Sequence, residues 1–179
     1  IAQNLAVLFA HNGSKVCIVD VDTNQSALRW SSFRDEELPA VPVVGLNDGM
    51  ELAKNIKHLN QNYEVVIIDG TPSLSQVTSK IIVLADFLII PILPSGLDIW
   101  ASEKFIERYR DAEQQKEEAI PAYFLINQNQ TTNLSKEVKE VLEDGKMNYS
   151  KIEESDKGKS YPLEGYTHDK QHVRIVFAP

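Results

Sequence analysis

Short apolar runs alternate with stretches of helical periodicity along most of the chain. Runs of this length, bounded by polar residues, predict β-strands. Residues 65–68 are apolar at every position, which is typical of a strand buried on both faces in the centre of a parallel sheet. Pro42 in the run 41–44 favours the edge of a sheet. The predicted strands are 16–19, 41–44, 65–68, 87–92, 122–126 and, more weakly, 173–177.

Between these runs, apolar residues recur three and four positions apart, which predicts helices. Leu5, Leu8 and Phe9 share one face of a first helix, and Gly13 is placed to end it. Asp48 and Glu51 have the spacing of a capping box, and Asp98 is a candidate N-cap. The further predicted helices lie at 26–33, 52–59, 75–84, 98–115 and 134–142.

Strands that alternate with helices predict the α/β class, with a parallel sheet covered by helices on both faces. The 179 residues suit a single domain, although 144–179 has no clear period apart from 173–177. Ligands of such sheets bind beyond the carboxyl ends of the strands. The residues that follow each strand are therefore the candidates for function.

The composition is that of an ordinary globular protein, with 42% hydrophobic and 25% charged residues. No apolar run approaches the ~20 residues of a membrane span, and the start has no signal-peptide pattern. The net charge of −8 argues against a strongly basic nucleic-acid binder, although a local basic patch remains possible. The single cysteine, Cys17, cannot form an internal disulfide, which fits a reducing cytosol.

The first candidate for chemistry is Asp20-Val21-Asp22, at the end of a predicted strand. In extended chain the two carboxylates point to opposite sides, so one can face a ligand while the other supports the turn or a metal. A carboxylate in this place can orient a water molecule or accept its proton. The alternative is a turn with two solvated acids.

The second candidate is Asp69, which follows four buried apolar residues in the pattern of a Walker B strand. Such a strand would hold the carboxylate near a Mg²⁺ ion that bridges phosphates. Gly70 to Ser73 form a turn of the kind that senses a γ-phosphate, and Pro91 and Pro94 stiffen a later loop. Ordinary strand ends and rigid turns would show the same residues.

Together and in order, these segments resemble the motifs of the ParA family of partition ATPases, particularly its short plasmid members. Residues 19–26, with Trp30 after them, resemble the A-prime motif. Residues 63–73 resemble the Walker B strand and switch II, and 85–98 resemble the next strand and its proline loop. Residues 125–128 are similar to the strand end that meets the nucleotide base.

The resemblance implies a deviant-Walker P-loop ATPase that uses ATP and Mg²⁺. Asp22 would be the catalytic residue that positions or activates water, and Asp69 would hold Mg²⁺ through water. Asn127 would contact the adenine. The remaining residues expected to bind the nucleotide are Asp20, Gly70 and Pro94.

The resemblance also implies a cytoplasmic, nucleoid-associated protein with no membrane partner. ATP would drive formation of a homodimer that binds DNA without sequence preference, and a centromere-binding protein of the ParB or ParG kind would stimulate hydrolysis. Two alternatives stay open at this point. One is a MinD-like or conjugation-associated positioning ATPase, and the other is a non-catalytic remnant.

The chain departs from the family pattern in two places. A strand and a glycine-rich loop of the form KGGxGKT should precede the helix of Asn4-Leu5-Ala6 and end just before Ile1. The sequence is therefore expected to be an N-terminally truncated fragment, inactive by itself. Thr23 and Asn24 follow Asp22 where the family reads Pro-Gln, so switch I geometry is expected to differ. Beyond Glu143 no DNA-binding or dimer residues can be carried over.

Overall fold

The fold is taken from a computed structural model that describes residues 1–46, 51–71, 76–93, 95–117, 119–127 and 173–177. Within these residues helices and strands alternate for most of the chain, as the apolar pattern predicts. The strands are β1 (Val16–Asp20), β2 (Val43–Gly45), β3 (Val65–Asp69), β4 (Phe87–Ile92), β5 (Ala122–Ile126) and β6 (Val173–Phe177). The helices are α1 (Ala2–His11), α2 (Ser26–Ser31), α3 (Leu52–Asn62), α4 (Gln76–Leu84) and α5 (Gly96–Lys116).

The strands form one sheet in the order β2-β1-β3-β6-β4-β5, and every pairing between neighbours is parallel. The predicted central position of β3 is confirmed, since it lies between β1 and β6. The predicted edge position of β2 is confirmed as well. Pro42 immediately precedes β2 and accepts a hydrogen bond from the Ile18 amide through its carbonyl, at 2.9 Å.

Helices cover both faces of the sheet, which confirms the predicted α/β class. Side chains along a parallel strand alternate between the two faces of the sheet, so each strand contributes residues to two separate cores. One core contains α3, α4 and α5, and its strand residues include Cys17, Val19, Val66, Ile68, Leu88 and Ile90. The other contains α1 and α2, and its strand residues include Val16, Ile18, Val65, Ile67, Phe87 and Ile175.

Most predicted boundaries lie within two residues of the observed ones, and the differences have local causes. Gly13 does end α1, since it has φ +87° and the next amide, of Ser14, donates to the Phe9 carbonyl. The prediction that Asp98 caps α5 is wrong. A tight turn, in which the Ser95 amide donates to the Leu93 carbonyl, starts that helix at Gly96. Asp48 and the predicted helix 134–142 lie outside the described residues.

The strand predicted at 173–177 is present as β6, and it lies between β3 and β4. An ion pair fixes its start, because the Arg174 guanidinium donates to both oxygens of Asp86, at 2.7 and 2.8 Å. The Arg174 amide also donates to Asp86, and the Asp86 amide donates to the Arg174 carbonyl. The hydrogen bond with Asp86 raises the pKa of Arg174. One pair of residues thus sets the register of β6 at this end.

Cys17 lies in β1 with no exposed surface, and burial raises the pKa of its thiol to about 12. A thiol reagent needs the thiolate, so we expect no labelling of the folded protein in mildly alkaline buffer. Unfolding in guanidinium chloride should make the single thiol fully reactive. Absorbance titration with an aromatic disulfide reagent checks this, and rapid labelling without denaturant would contradict the buried position.

Candidate functional site

Three carboxylates meet where β1 and β3 end side by side. The register pairs Asp20 with Asp69, and the Val21 amide donates to the Asp69 carbonyl at 3.1 Å. Asp22 follows two residues after Asp20, beyond the end of the strand. The sequence predicted that these acids would share the carboxyl edge of the sheet, and the structure brings Asp20, Asp22 and Asp69 within electrostatic range of one another.

Asp20 is fully buried, and its carboxylate is occupied by backbone amides. Its Oδ1 atom accepts a hydrogen bond from the Asp22 amide at 3.2 Å. Its Oδ2 atom accepts from the amides of Ala27 and Leu28 at 2.8 and 3.0 Å. The residue that precedes α2, Gln25, makes no capping bond with its side chain. Asp20 therefore caps α2 from the neighbouring strand.

Asp22 is half-buried, and its own carboxylate is weakly held. It accepts from the Thr23 hydroxyl and from the amide and side chain of Asn24, each at 3.4 Å. These distances exceed the usual 2.7–3.2 Å range of strong hydrogen bonds. The two residues that depart from the family pattern thus contact Asp22 itself, and the carboxylate can still accept a stronger donor.

Asp69 is half-buried at the end of β3, and its pKa is raised. Burial is the main cause, and the negative charges of Asp20 and Asp22 act in the same direction. The start of α1 lies within electrostatic range of this carboxylate. A cation beside Asp69 would relieve the repulsion among the acids, so the residues present suit a bound Mg²⁺ ion.

Gly70 ties the end of β3 to the end of β6. Its amide donates to the Phe177 carbonyl at 2.8 Å. A Cβ atom on Gly70 would lie only 2.2 Å from that carbonyl oxygen, closer than any side chain tolerates. The glycine is therefore required for close approach of the two strands. Pro72 and Ser73, which complete the predicted switch, lie outside the described part of the chain.

Asn127 lies at the same edge of the sheet, away from the acids. It is exposed in the turn after β5, and its amide donates to the Ile92 carbonyl at 2.7 Å. β6 and β4 separate β5 from β3. At a strand spacing of ~4.8 Å, roughly 14 Å lies between the ends of β3 and β5. Pro94, also predicted to line the site, lies outside the described residues.

The described residues contain no group of three or more His, Cys, Asp or Glu side chains that could hold a metal ion. Mg²⁺ commonly binds through one or two carboxylates, with water and phosphate oxygens as the other ligands, and Asp69 alone can supply such a carboxylate. None of the helices in the described ranges has the length and apolar character needed to traverse a bilayer.

The cap made by Asp20 and the position of Ile1 were not foreseen from the sequence. A sequence signal for the cap exists, because Gln25, at the N-cap position of α2, is not one of the residue types that favour this position, and its side chain makes no capping bond. An acid several residues upstream was therefore a candidate. Nothing local indicates that the start of α1 lies beside Asp69, because that proximity arises from packing of α1 across β1 and β3.

Comparison with known proteins identifies the family. A protein-family model described as an AAA domain matches residues 43–122. The "Maintenance of carboxysome distribution protein A" of Halothiobacillus neapolitanus is 30% identical over 131 residues, 73% of this chain and 60% of that protein. "Protein ParA" of Rhizobium radiobacter is 33% identical over 96 residues, 52% of this chain and 42% of that protein. The chain belongs to the ParA-type ATPase family.

The chain spans less than two thirds of the length of these two relatives. The match to the AAA-domain model runs from β2 to the start of β5, so it includes Asp69 and Gly70. Asp20, Asp22 and Asn127 lie outside that match.

Proposed function

We propose that the intact protein binds and hydrolyses ATP to position a cargo in the cell, as a ParA-type partition protein. One observation carries this proposal. Asp22 and Asp69 lie together at the carboxyl edge of parallel strands, beside the start of α1. Two acids of this kind at that edge suit a phosphate site, where one acid serves the metal and the other serves the attacking water.

The start of α1 is suited to hold phosphate. The positive end of a helix attracts anions. The glycine-rich loop expected upstream of Ile1 would complete this cradle with further amides and a lysine. Mg²⁺, when bound, would balance the charge that develops on the transferred phosphoryl group.

Each candidate residue has a role in this proposal. Asp22 orients or deprotonates the attacking water, and its weak local contacts leave it able to do so. Asp69 holds Mg²⁺ through water. Asn127 contacts the adenine, since the roughly 14 Å from β3 to β5 suits a nucleotide that lies along the edge. Gly70 and Pro94 shape the part of the proposed site that binds the phosphates. Asp20 lies in the same part of the site.

For the partners and the cellular role, the proposal takes what the resemblance to the ParA family implies. ATP binding drives formation of a homodimer, the dimer binds DNA without sequence preference, and a ParB- or ParG-like partner stimulates hydrolysis. The protein then works in the cytoplasm on the nucleoid. Plasmid DNA is the first candidate cargo, because one relative is named ParA. A protein compartment is the second, because the other relative is named for carboxysome distribution.

Expression of the full-length parent gene tests the proposal. We expect Mg²⁺-dependent ATP turnover by the parent and none by residues 1–179, because residues 1–179 contain no loop of the form KGGxGKT to hold the phosphates. Fluorescent ATP binding and phosphate release measure the two steps. A parent that neither binds nor hydrolyses ATP would refute the proposed function. Turnover by residues 1–179 that Asp22→Ala abolishes would refute the requirement for the loop.

A further inference from the structure

We propose that Asp20 is a positioning residue that fixes the loop carrying Asp22, and that it is not a ligand of the nucleotide or the metal. The inference rests on the proposed function, since it concerns how Asp22 is aimed. It replaces the role in nucleotide binding that the family resemblance implies for Asp20. Four observations support it, and all of them concern described residues.

The carboxylate of Asp20 holds both ends of the Asp22 loop. One oxygen accepts from the Asp22 amide at 3.2 Å. The other accepts from the amides of Ala27 and Leu28, at the start of α2, at 2.8 and 3.0 Å. Because the two oxygens belong to one rigid group, the start and the end of the loop are fixed relative to each other and to β1.

The residue at the N-cap position of α2 does not cap the helix itself. Gln25 adopts the left-handed conformation, with φ 49°, and makes no capping bond, so α2 begins without a cap of its own. Ala27 is fully buried, so its amide could not turn to water if Asp20 were removed. A helix of six residues is not stable alone and depends on such tertiary contacts.

Burial closes Asp20 to a ligand. Its exposed fraction is 0%, and its two oxygens already accept hydrogen bonds from three amides. A nucleotide or a Mg²⁺ ion could reach the carboxylate only after the surrounding chain opened. In contrast, Asp22 and Asp69 are half-buried, which leaves part of each residue accessible.

The backbone around Asp20 links the two candidate acids. The Asp20 carbonyl accepts from Leu46 at 2.9 Å, and the next amide, of Val21, donates to the Asp69 carbonyl at 3.1 Å. Since the contacts of the Asp22 side chain are long, its position relative to Asp69 depends on this backbone frame. Asp20 therefore sets the separation of the two acids that act on water and metal.

The test compares Asp20→Asn with wild type in the full-length protein. The asparagine oxygen can still accept from α2, but its NH₂ group then faces the Asp22 amide, donor against donor. We expect kcat to fall at least ~10-fold while the affinity for Mg²⁺-ATP stays within about 2-fold, as for a displaced catalytic group. The single oxygen of Asp20→Ser can reach only one end of the loop. This variant should also lower kcat and leave the affinity for Mg²⁺-ATP nearly unchanged.

Asp86→Asn is the matched control, because Asp86 also accepts from a backbone amide but lies beside the start of β6. It should lower stability and leave kcat unchanged. Nucleotide affinity that falls in Asp20→Asn while kcat holds would overturn the inference and make Asp20 a ligand. A fall in kcat of equal size in Asp86→Asn would also overturn it, since general destabilisation would then be the cause.

Amide hydrogen exchange on residues 1–179 supplies a readout that does not need turnover. Asp20→Asn should speed exchange at Asp22, Ala27 and Leu28 and leave β3 unchanged. Unchanged exchange at these amides would overturn the inference. A wild-type parent without turnover would refute the proposed function, whereas the exchange result would still decide whether Asp20 holds the loop.

Discussion

In the full-length protein, we expect Asp22→Ala to lower kcat for ATP by about 10²–10⁴-fold and to leave ATP affinity within a few-fold of wild type. The carboxylate acts on water in the transition state, whereas phosphate and base contacts bind the ground state. Steady-state turnover and equilibrium binding of fluorescent ATP measure the two effects on the same preparation.

Two comparisons make this result specific. Asp69→Ala should weaken binding of Mg²⁺-ATP itself, because the lost carboxylate serves the bound metal as well as the transition state. Asp35→Ala removes an exposed acid of the segment after α2 and should change neither quantity. Full turnover in Asp22→Ala would refute the catalytic assignment and would make the Thr23-Asn24 departure a loss of the motif.

We expect Arg174→Met to lower the free energy of unfolding by about 2–3 kcal/mol. The substitution removes the two guanidinium bonds to Asp86, whose side chain is only 9% exposed, so a nearly buried carboxylate would lose two charged hydrogen bonds. Urea denaturation at neutral pH measures the loss. Lys104→Met changes an exposed cation and should stay within about 0.5 kcal/mol of wild type.

The double variant Asp86→Leu/Arg174→Met separates charge from packing. It removes both charges together, so it should recover much of the stability that Arg174→Met loses. A loss below about 0.5 kcal/mol in Arg174→Met would show that the pair behaves like an exposed ion pair and does not fix β6.

The sequence predicted the fold class and most elements because their signals are local. The apolar run before Asp69 identified β3 as a central strand, and the alternation of elements predicted the parallel sheet. The rule that ligands meet the carboxyl ends of strands correctly grouped Asp20, Asp22 and Asp69. These features depend on neighbours in the sequence or on a general property of parallel sheets.

What the sequence could not show depends on contacts between distant residues. The run 173–177 indicated a strand, but nothing in it indicated the place between β3 and β4, where Val173 pairs with Val65. The cap that Asp20 makes on α2 depends on how the chain turns after β1, which no local pattern shows. Asp98 had the chemistry of an N-cap, yet the turn at Ser95 decided where α5 begins.

The central place of β6 has a consequence for how the chain folds during synthesis. β3 and β4 follow each other in sequence, yet the strand that joins them is made later, after β5. At a synthesis rate of about 5–20 residues per second, the ribosome needs roughly 5–20 seconds to pass from β3 to β6. During that time the β3 and β4 edges are open to each other and to other nascent chains. Direct β3–β4 pairing is therefore the misfold to expect, and a chaperone that shields these edges would raise the yield of folded protein.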